Sequence, residues 1–349
     1  MERIELKPGY SISRVIKGGW HLAGGHGAID ENQAIEDMYR FVQAGITTFD
    51  CADIYTGVEA LIGKFLKKHQ PAFAAGDLAP VQVHTKYVPD YNLLPKLKKA
   101  DTRQIIERSL KRLGLERLDL VQFHWWDYQF PGYVEAAQDL QALKKEGKIR
   151  HLSVTNFDSA YLRQIVEAGV EITSNQVQYS VLDPRPEHDL EAFCQERDIS
   201  LLCYGTVAGG FLSDRYLDAP DPAAPLENRS LVKYRLIIDE FGGYDRFQQL
   251  LHLLRDLADQ YGVGIAEVAS RYILQKPRVA GVIIGARNAN HLHRLTDLAK
   301  FQLSGEDMAQ LNSFIQSGPQ PAGAVYALER DKEGKHGSIM KYNLNEEPH

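Results

Sequence analysis

The sequence predicts an α/β chain folded as a (β/α)8 TIM barrel, with a long loop after the seventh strand and a C-terminal extension. Three observations carry this. Short apolar runs alternate with amphipathic stretches, and the pair repeats eight times between residues 14 and 300. The first run is followed by a Gly-rich segment, 18–27, that fits G-x-G-x-x-G in no register, so the doubly wound open sheet lacks its usual mark. A polar or backbone-access residue stands at the C-terminal end of nearly every run, the edge where such folds bind ligands.

The elements follow in order. Arg14 to Gly18 is the weakest strand, and the helix after it, Glu31 to Ala44, shows one apolar face of Ala34, Ile35, Met38, Phe41 and Val42. Thr47 to Asp50 is β-branched and aromatic, and Val58 to His69 beyond it has helical spacing. Val81 to Lys86 pairs with the helix Asp101 to Leu113, for which Asp101-Thr102 is the expected N-cap. Leu118 to His124 leads to Gly132–Glu146, Ile149 to Thr155 to Ser159–Ala168, and Ser174 to Gln178 to Glu187–Arg197. The seventh strand, Ser200 to Tyr204, reaches its helix Phe247–Tyr261 only through the long connection 207–246, which is either a lid or disordered. Val279 to Ile284 and Asn290 to Lys300 complete the eight, and a helix Gly305–Gln316 packs outside. Residues 1–316 thus form one barrel domain, and 317–349 a tail suited to covering the rim.

Composition narrows the function classes. Lys and Arg number 40 against 46 Asp and Glu, a net charge of -6 spread without blocks, which gives no electrostatic warrant for nucleic acid or an anionic membrane. No stretch approaches the roughly 20 apolar residues of a membrane span, and Met1 to Tyr10 does not read as a secretory signal. The three cysteines, Cys51, Cys194 and Cys203, form no Cys-x-x-Cys pair and fit a reducing, cytoplasmic setting. Cys51 beside Asp50 reads as a small buried hydrophobe rather than a nucleophile. No metal site is expected: His291 and His293 face different ways on a helix, and His21 and His26 lack a carboxylate pair.

The strand ends hold Asp50, Lys86, His124, Thr155 with Asn156, Gln176, Tyr204, and Gly285 with Arg287, while Tyr55 follows Asp50 at a helix start. Singly, each has an ordinary explanation: a cap, a solvated rim charge, a satisfied core histidine. Together on one rim they suit proton delivery to a carbonyl. An ammonium at Lys86 stabilises the Tyr55 phenolate, Asp50 keeps Lys86 charged and in place, and His124 donates a second hydrogen bond to the developing oxyanion. Trp20, Tyr87, Trp125 and Trp126 next to these ends are the expected pocket walls, suited to aromatic or extended apolar aldehydes and ketones over small charged ones.

These residues carry a resemblance. The segments Phe49-Asp50 with Tyr55, Val83-His84-Thr85-Lys86, Leu118 to Trp125, Gly147 to Arg150 running into Val154-Thr155-Asn156-Phe157, Asn175 to Ser180, and Val282 to Ala286 are similar, in order, to the aldo-keto reductase family. The resemblance implies a catalytic tetrad of Asp50, Tyr55, Lys86 and His124, and an NADPH or NADH bound in extended form. Thr155, Asn156 and Gln176 would hold the nicotinamide carboxamide and Tyr204 would stack on its ring. Gly19, Gly205 and Gly285 would border the cofactor by backbone. Arg287 replaces the Lys-Ser pair of a well-studied branch and is the candidate grip for a 2′-phosphate, with Arg294 a weaker one, so NADPH is expected over NAD. The implied partner is a small carbonyl compound. Two other readings stay open: a cofactor-binding auxiliary subunit with little turnover, and a redox-neutral lyase or isomerase. Physiological substrate and oligomeric state are not legible.

Overall fold

All eight runs fold as parallel strands, and the structure, a computed structural model, describes residues 1–23 and 29–345. A hairpin of β1 (Arg3–Lys7) and β2 (Tyr10–Ser13) comes first, with Ile4 paired to Ile12. The barrel strands are β3 (Val15–Gly18), β4 (Thr48–Asp50), β5 (Gln82–Tyr87), β6 (Leu118–Phe123), β7 (Ile149–Thr155), β8 (Ser174–Gln178), β9 (Ser200–Tyr204) and β10 (Val279–Gly285). They pair in that order, and β10 closes on both β9 and β3.

The helices are α1 (Glu31–Gln43), α2 (Val58–Ala75), α3 (Lys99–Leu113), α4 (Tyr133–Lys145), α5 (Ser159–Glu167), α6 (Leu190–Glu196), α7 (Arg229–Glu240) and α8 (Tyr244–Tyr261). They continue with α9 (Ile265–Leu274), α10 (Leu292–Asp297), α11 (Gly305–Gln316) and α12 (Ala327–Arg330). The apolar face expected of α1 is buried as read, Ala34, Ile35, Met38, Phe41 and Val42 all facing the barrel. Among the described residues no helix is long and apolar enough to cross a membrane.

Strand residues alternate between the barrel interior and the helical layer, because the side-chain period is two. On β5, Thr85 donates to Glu59 of α2 and Tyr87 bonds Thr102 of α3, while His84 and Lys86 point inward. The hairpin plugs the end where the strands begin. Its Leu6, Tyr10 and Ile12 cluster with Ile16, Leu120 and Leu202 inside the barrel, and the Tyr10 hydroxyl lies 3.0 Å from His84 Nε2. With that end closed, the open rim is the one bearing the strand C-termini.

Two expectations about elements are corrected, and one helix had no expectation at all. Helix α3 begins at Lys99, and Asp101 sits inside its first turn, accepting from the Lys98 backbone N–H at 2.9 Å rather than capping from outside. The connection 207–246 is neither structureless nor disordered, because it contains α7, whose Asn228 cap accepts from Leu231 N–H at 3.0 Å. Helix α9 went unforeseen. Nearly all of its residues are buried, including Glu267, Ser270 and Arg271, whose i, i+3, i+4 spacing puts the polar residues on one side of it.

Candidate active site

The register of the strands sets the site. Asp50 is level with His84 on β5, and Lys86 with Gln122 on β6, so the inward carboxylate, ammonium and amide meet at the rim. Lys86 Nζ donates to Asp50 Oδ2 at 2.6 Å and to the Cys51 carbonyl at 2.9 Å. Asp50 Oδ1 accepts from Gln122 at 2.9 Å and from Gln176 at 2.6 Å. Both Asp50 and Lys86 are nearly inaccessible to water, and a buried pair so well bonded is fixed in orientation.

Tyr55 stands over this pair. Its ring lies 4.8 Å from Lys86 Nζ and meets the Trp20 ring edge-on at 5.1 Å. Burial raises the phenol pKa, and the Lys86 ammonium opposes that rise without overcoming it. The phenol therefore keeps its proton at neutral pH, as a proton donor must. Burial also works against the Lys86 charge, but Asp50, Tyr55 and Cys51 more than offset it, so the ammonium is held above its usual range.

His124 departs from expectation. Burial, with the nearby Arg330 charge, lowers its pKa to about 3, so the ring is neutral. Its Nδ1 lies 3.2 Å from the Thr155 carbonyl, which can only accept, so Nδ1 carries the proton and Nε2 presents a lone pair. Among the described residues Nε2 has no partner. In this tautomer the ring accepts a hydrogen bond from a bound molecule and does not donate one to an oxyanion.

Seven further predicted positions fall on the same cleft, of about 570 Å³: Thr155, Asn156, Gln176, Tyr204, Gly205, Gly285 and Arg287. Asn156 adopts a left-handed φ of 62°, which asparagine tolerates, and accepts from the Tyr204 hydroxyl at 2.9 Å. The Gln176 amide is also committed within the protein, donating to Gln122 at 2.6 Å as well as to Asp50. Gly205 has φ 78°, and a Cβ there would lie 2.5 Å from the Tyr234 hydroxyl, which accounts for glycine after Tyr204. A second cleft of about 370 Å³ adjoins the first, sharing Val207, Gly210, Gly285 and Arg287, and continues to Asn288 and Arg294. Arg294 lies 4.0 Å from Glu267. Arg287 stands where the two clefts meet, and Arg294 lies in the second.

Three predicted contacts are not made. Gly19 stays off the cleft: its N–H donates to the Asp50 carbonyl at 2.8 Å, and a Cβ would lie 2.7 Å from that oxygen. Its role is to bring β3 and β4 together. Tyr87 and Trp125 are fully buried in the layer between barrel and helices, Tyr87 bonded to Thr102 and Trp125 to the Phe130 carbonyl. Each directly follows an inward residue, Lys86 or His124, so alternation sends it outward. Trp126, one further on, returns to the cleft with Trp20. His26 and the rest of the 24–28 segment lie outside the described residues.

Several cleft residues gave no sequence signal. Tyr326, Ile339, Met340 and Leu344 come from the tail, and Arg229 and Lys233 from α7. The tail is held by Tyr91 N–H to the Tyr342 carbonyl at 2.9 Å, and by Leu344 and Asn345 N–H groups that both reach Asp90 Oδ1 at 2.9 Å. Parity would have found Trp126, but nothing local marks the tail residues, whose placement depends on long-range docking.

Comparison with known proteins gives a family and a fold. A family model described as Aldo/keto reductase family matches residues 14–316. The chain is 26% identical over 325 residues to Aldo-keto reductase YhdN of Bacillus subtilis, covering 88% of this chain and 92% of that one. It is 24% identical to the NADH-specific methylglyoxal reductase of Escherichia coli, over 88% and 96% of the two chains. Among solved structures, the glycerol dehydrogenase AKR11B4 from Gluconobacter oxydans superposes with a TM-score of 0.74 at 22% identity, covering 90% of this chain and 95% of that one.

Proposed function

The chain belongs to the aldo/keto reductase family and is an oxidoreductase, and on that premise we propose that it reduces an aldehyde or ketone to the alcohol with Tyr55 as proton donor. The observation that carries this reading is the buried Asp50–Lys86 pair at 2.6 Å with the Lys86 ammonium 4.8 Å from the Tyr55 ring. A nicotinamide dinucleotide supplies, when bound, the hydride that no side chain can provide. Tyr204, Asn156 and Thr155 would hold its nicotinamide end, and Arg287, where the two clefts meet, would hold a phosphate of the remainder.

The chain's own groups manage the proton. Tyr55 holds it in the resting site because burial raises the phenol pKa, and gives it up as negative charge grows on the substrate oxygen. Lys86 stabilises the phenolate that remains, and Asp50, fixed by Gln122 and Gln176, keeps Lys86 from swinging away. His124, with Nε2 bare, accepts from the hydroxyl of the product alcohol and so orients it. Tyr326, Ile339, Met340 and Leu344 of the tail cover the rim and shield this exchange from water.

NADPH is the proposed cofactor on the strength of Arg287, whose guanidinium suits a 2′-phosphate. The NADH-specific E. coli relative makes NADH the competitor to test. The deciding experiment mixes the protein with each cofactor and a panel of aldehydes while nicotinamide absorbance is followed. Carbonyl-dependent oxidation is the expected result, and its absence with every aldehyde and both cofactors would overturn the proposal.

A further inference from the structure

A lysine that the proposed proton transfer does not use stands in the wall of the cleft. Lys233 of α7 keeps only 15% of its side chain exposed. Its ammonium lies 5.1 Å from the Tyr204 ring centre, 5.6 Å from Tyr326 and 5.8 Å from Tyr234. Tyr326 in turn sits edge-on to His124 at 5.5 Å, so one aromatic ring separates the ammonium from the reacting centre.

The ion pair beside it accounts for only part of it. Glu329 Oε1 is 3.6 Å from Lys233 Nζ, a long ion-pair contact that engages one of the three donors. Glu329 is already bonded through both oxygens to Arg185, at 3.1 and 3.2 Å. Asp183, the other acid of the cluster, receives Arg185 at 2.7 and 2.8 Å. An ammonium has three donors to satisfy, and burial here works against its charge, with Glu329 only partly opposing. The tyrosine faces attract a cation but accept no strong hydrogen bond. The direction left for the other donors is the cleft that Lys233 lines.

Resting on the reductase reading, we propose that Lys233 is a specificity residue that binds a carboxylate carried by the substrate a short spacer from its carbonyl, making oxo-acids the preferred substrate class. The largely buried Lys233 ammonium carries one positive charge, a match for one carboxylate, and Arg229 of the same helix adds to the positive potential of that wall. The walls Trp20, Trp126 and Tyr326 then hold the apolar spacer. This reverses the sequence-based expectation that charged substrates are disfavoured, because that reading saw the aromatic walls and not the lysine between them.

The test compares 4-oxobutanoate with pentanal, a neutral aldehyde of similar size, in the wild-type enzyme and in Lys233→Met and Lys233→Arg. Wild type should prefer the oxo-acid in kcat/KM. Lys233→Met should erase that preference by about 10- to 100-fold, chiefly through KM, as expected for loss of a hydrogen bond between charged groups. Lys233→Arg, which keeps the charge, should retain most of it. Equal losses for both aldehydes, or a loss that appears in cofactor Kd instead, would assign Lys233 to structure or to the cofactor and overturn the proposal. Turnover of pentanal as good as that of the oxo-acid in wild type would overturn it and leave the reductase reading intact. Failure to reduce any aldehyde would remove the reductase reading first, and this inference with it.

Discussion

Tyr55 sits where a phenol can hold a proton and yet release it, with burial raising its pKa and the Lys86 ammonium pulling the other way. Tyr55→Phe removes one hydroxyl and no apolar area, so kcat should fall by at least about 10³, since general acid catalysis is typically worth ~10²- to 10⁴-fold and an oxyanion donor ~10²- to 10³-fold. Cofactor Kd should barely move. Single-turnover oxidation of bound cofactor is the measurement, and a Phe variant within tenfold of wild type would show that another group supplies the proton. Arg287 makes a separate prediction where the two clefts meet. Arg287→Ala should weaken NADPH by about 1.5 to 3 kcal/mol and leave NADH nearly unchanged. Equal losses in a fluorescence titration would mean that Arg287 does not read the 2′-phosphate.

At the scale of elements, α7 and Tyr326, the residue before α12, wall the cleft, and a buried charge cluster behind them ties both to the segment after β8. Arg185 links Asp183 to Glu329, with all three side chains almost wholly enclosed. Removing one partner of such a cluster strands the others, so Arg185→Leu should cost about 3 to 5 kcal/mol. Urea unfolding would read that loss, and a change below about 1 kcal/mol would show that water reaches the acids. None of this was legible in the sequence, because 183, 233 and 329 lie far apart and no local pattern couples them. The barrel was legible, since each strand needs only a short apolar run and each outer helix shows its stripe, as α1 does. Parity decided the residues. Lys86 and His124 reach the cleft from strand ends, whereas Tyr87 and Trp125 turn away from it because the alternation that turns Lys86 inward must turn its neighbour outward. Gly19 stays off the cleft as well: its need for glycine comes from β4 crowding against it, not from a ligand.

Seen whole, the barrel is a closed tube with ionisable groups stacked along its axis, sealed below by the hairpin and roofed by the tail. Tyr10 rises from the hairpin to bond His84, and above it stand Asp50, Lys86 and His124. This interior admits charge only where it is paired, and the imidazoles are not. Burial lowers His84 to about 4 and His124 to about 3. The unfolded chain takes up a proton at each ring near pH 6.5, which the folded barrel refuses until those lower values. Stability is therefore present above about pH 6.5 and drains away as pH falls through 4 and then 3, at up to about 1.4 kcal/mol per pH unit for each ring. Melting temperature should drop steadily between pH 7 and pH 4. His84→Gln, which keeps a polar partner for Tyr10 but cannot take up a proton in the unfolded chain, should flatten that slope by about one proton's worth. A variant whose melting temperature falls with pH as steeply as that of wild type would show that water already reaches the His84 ring.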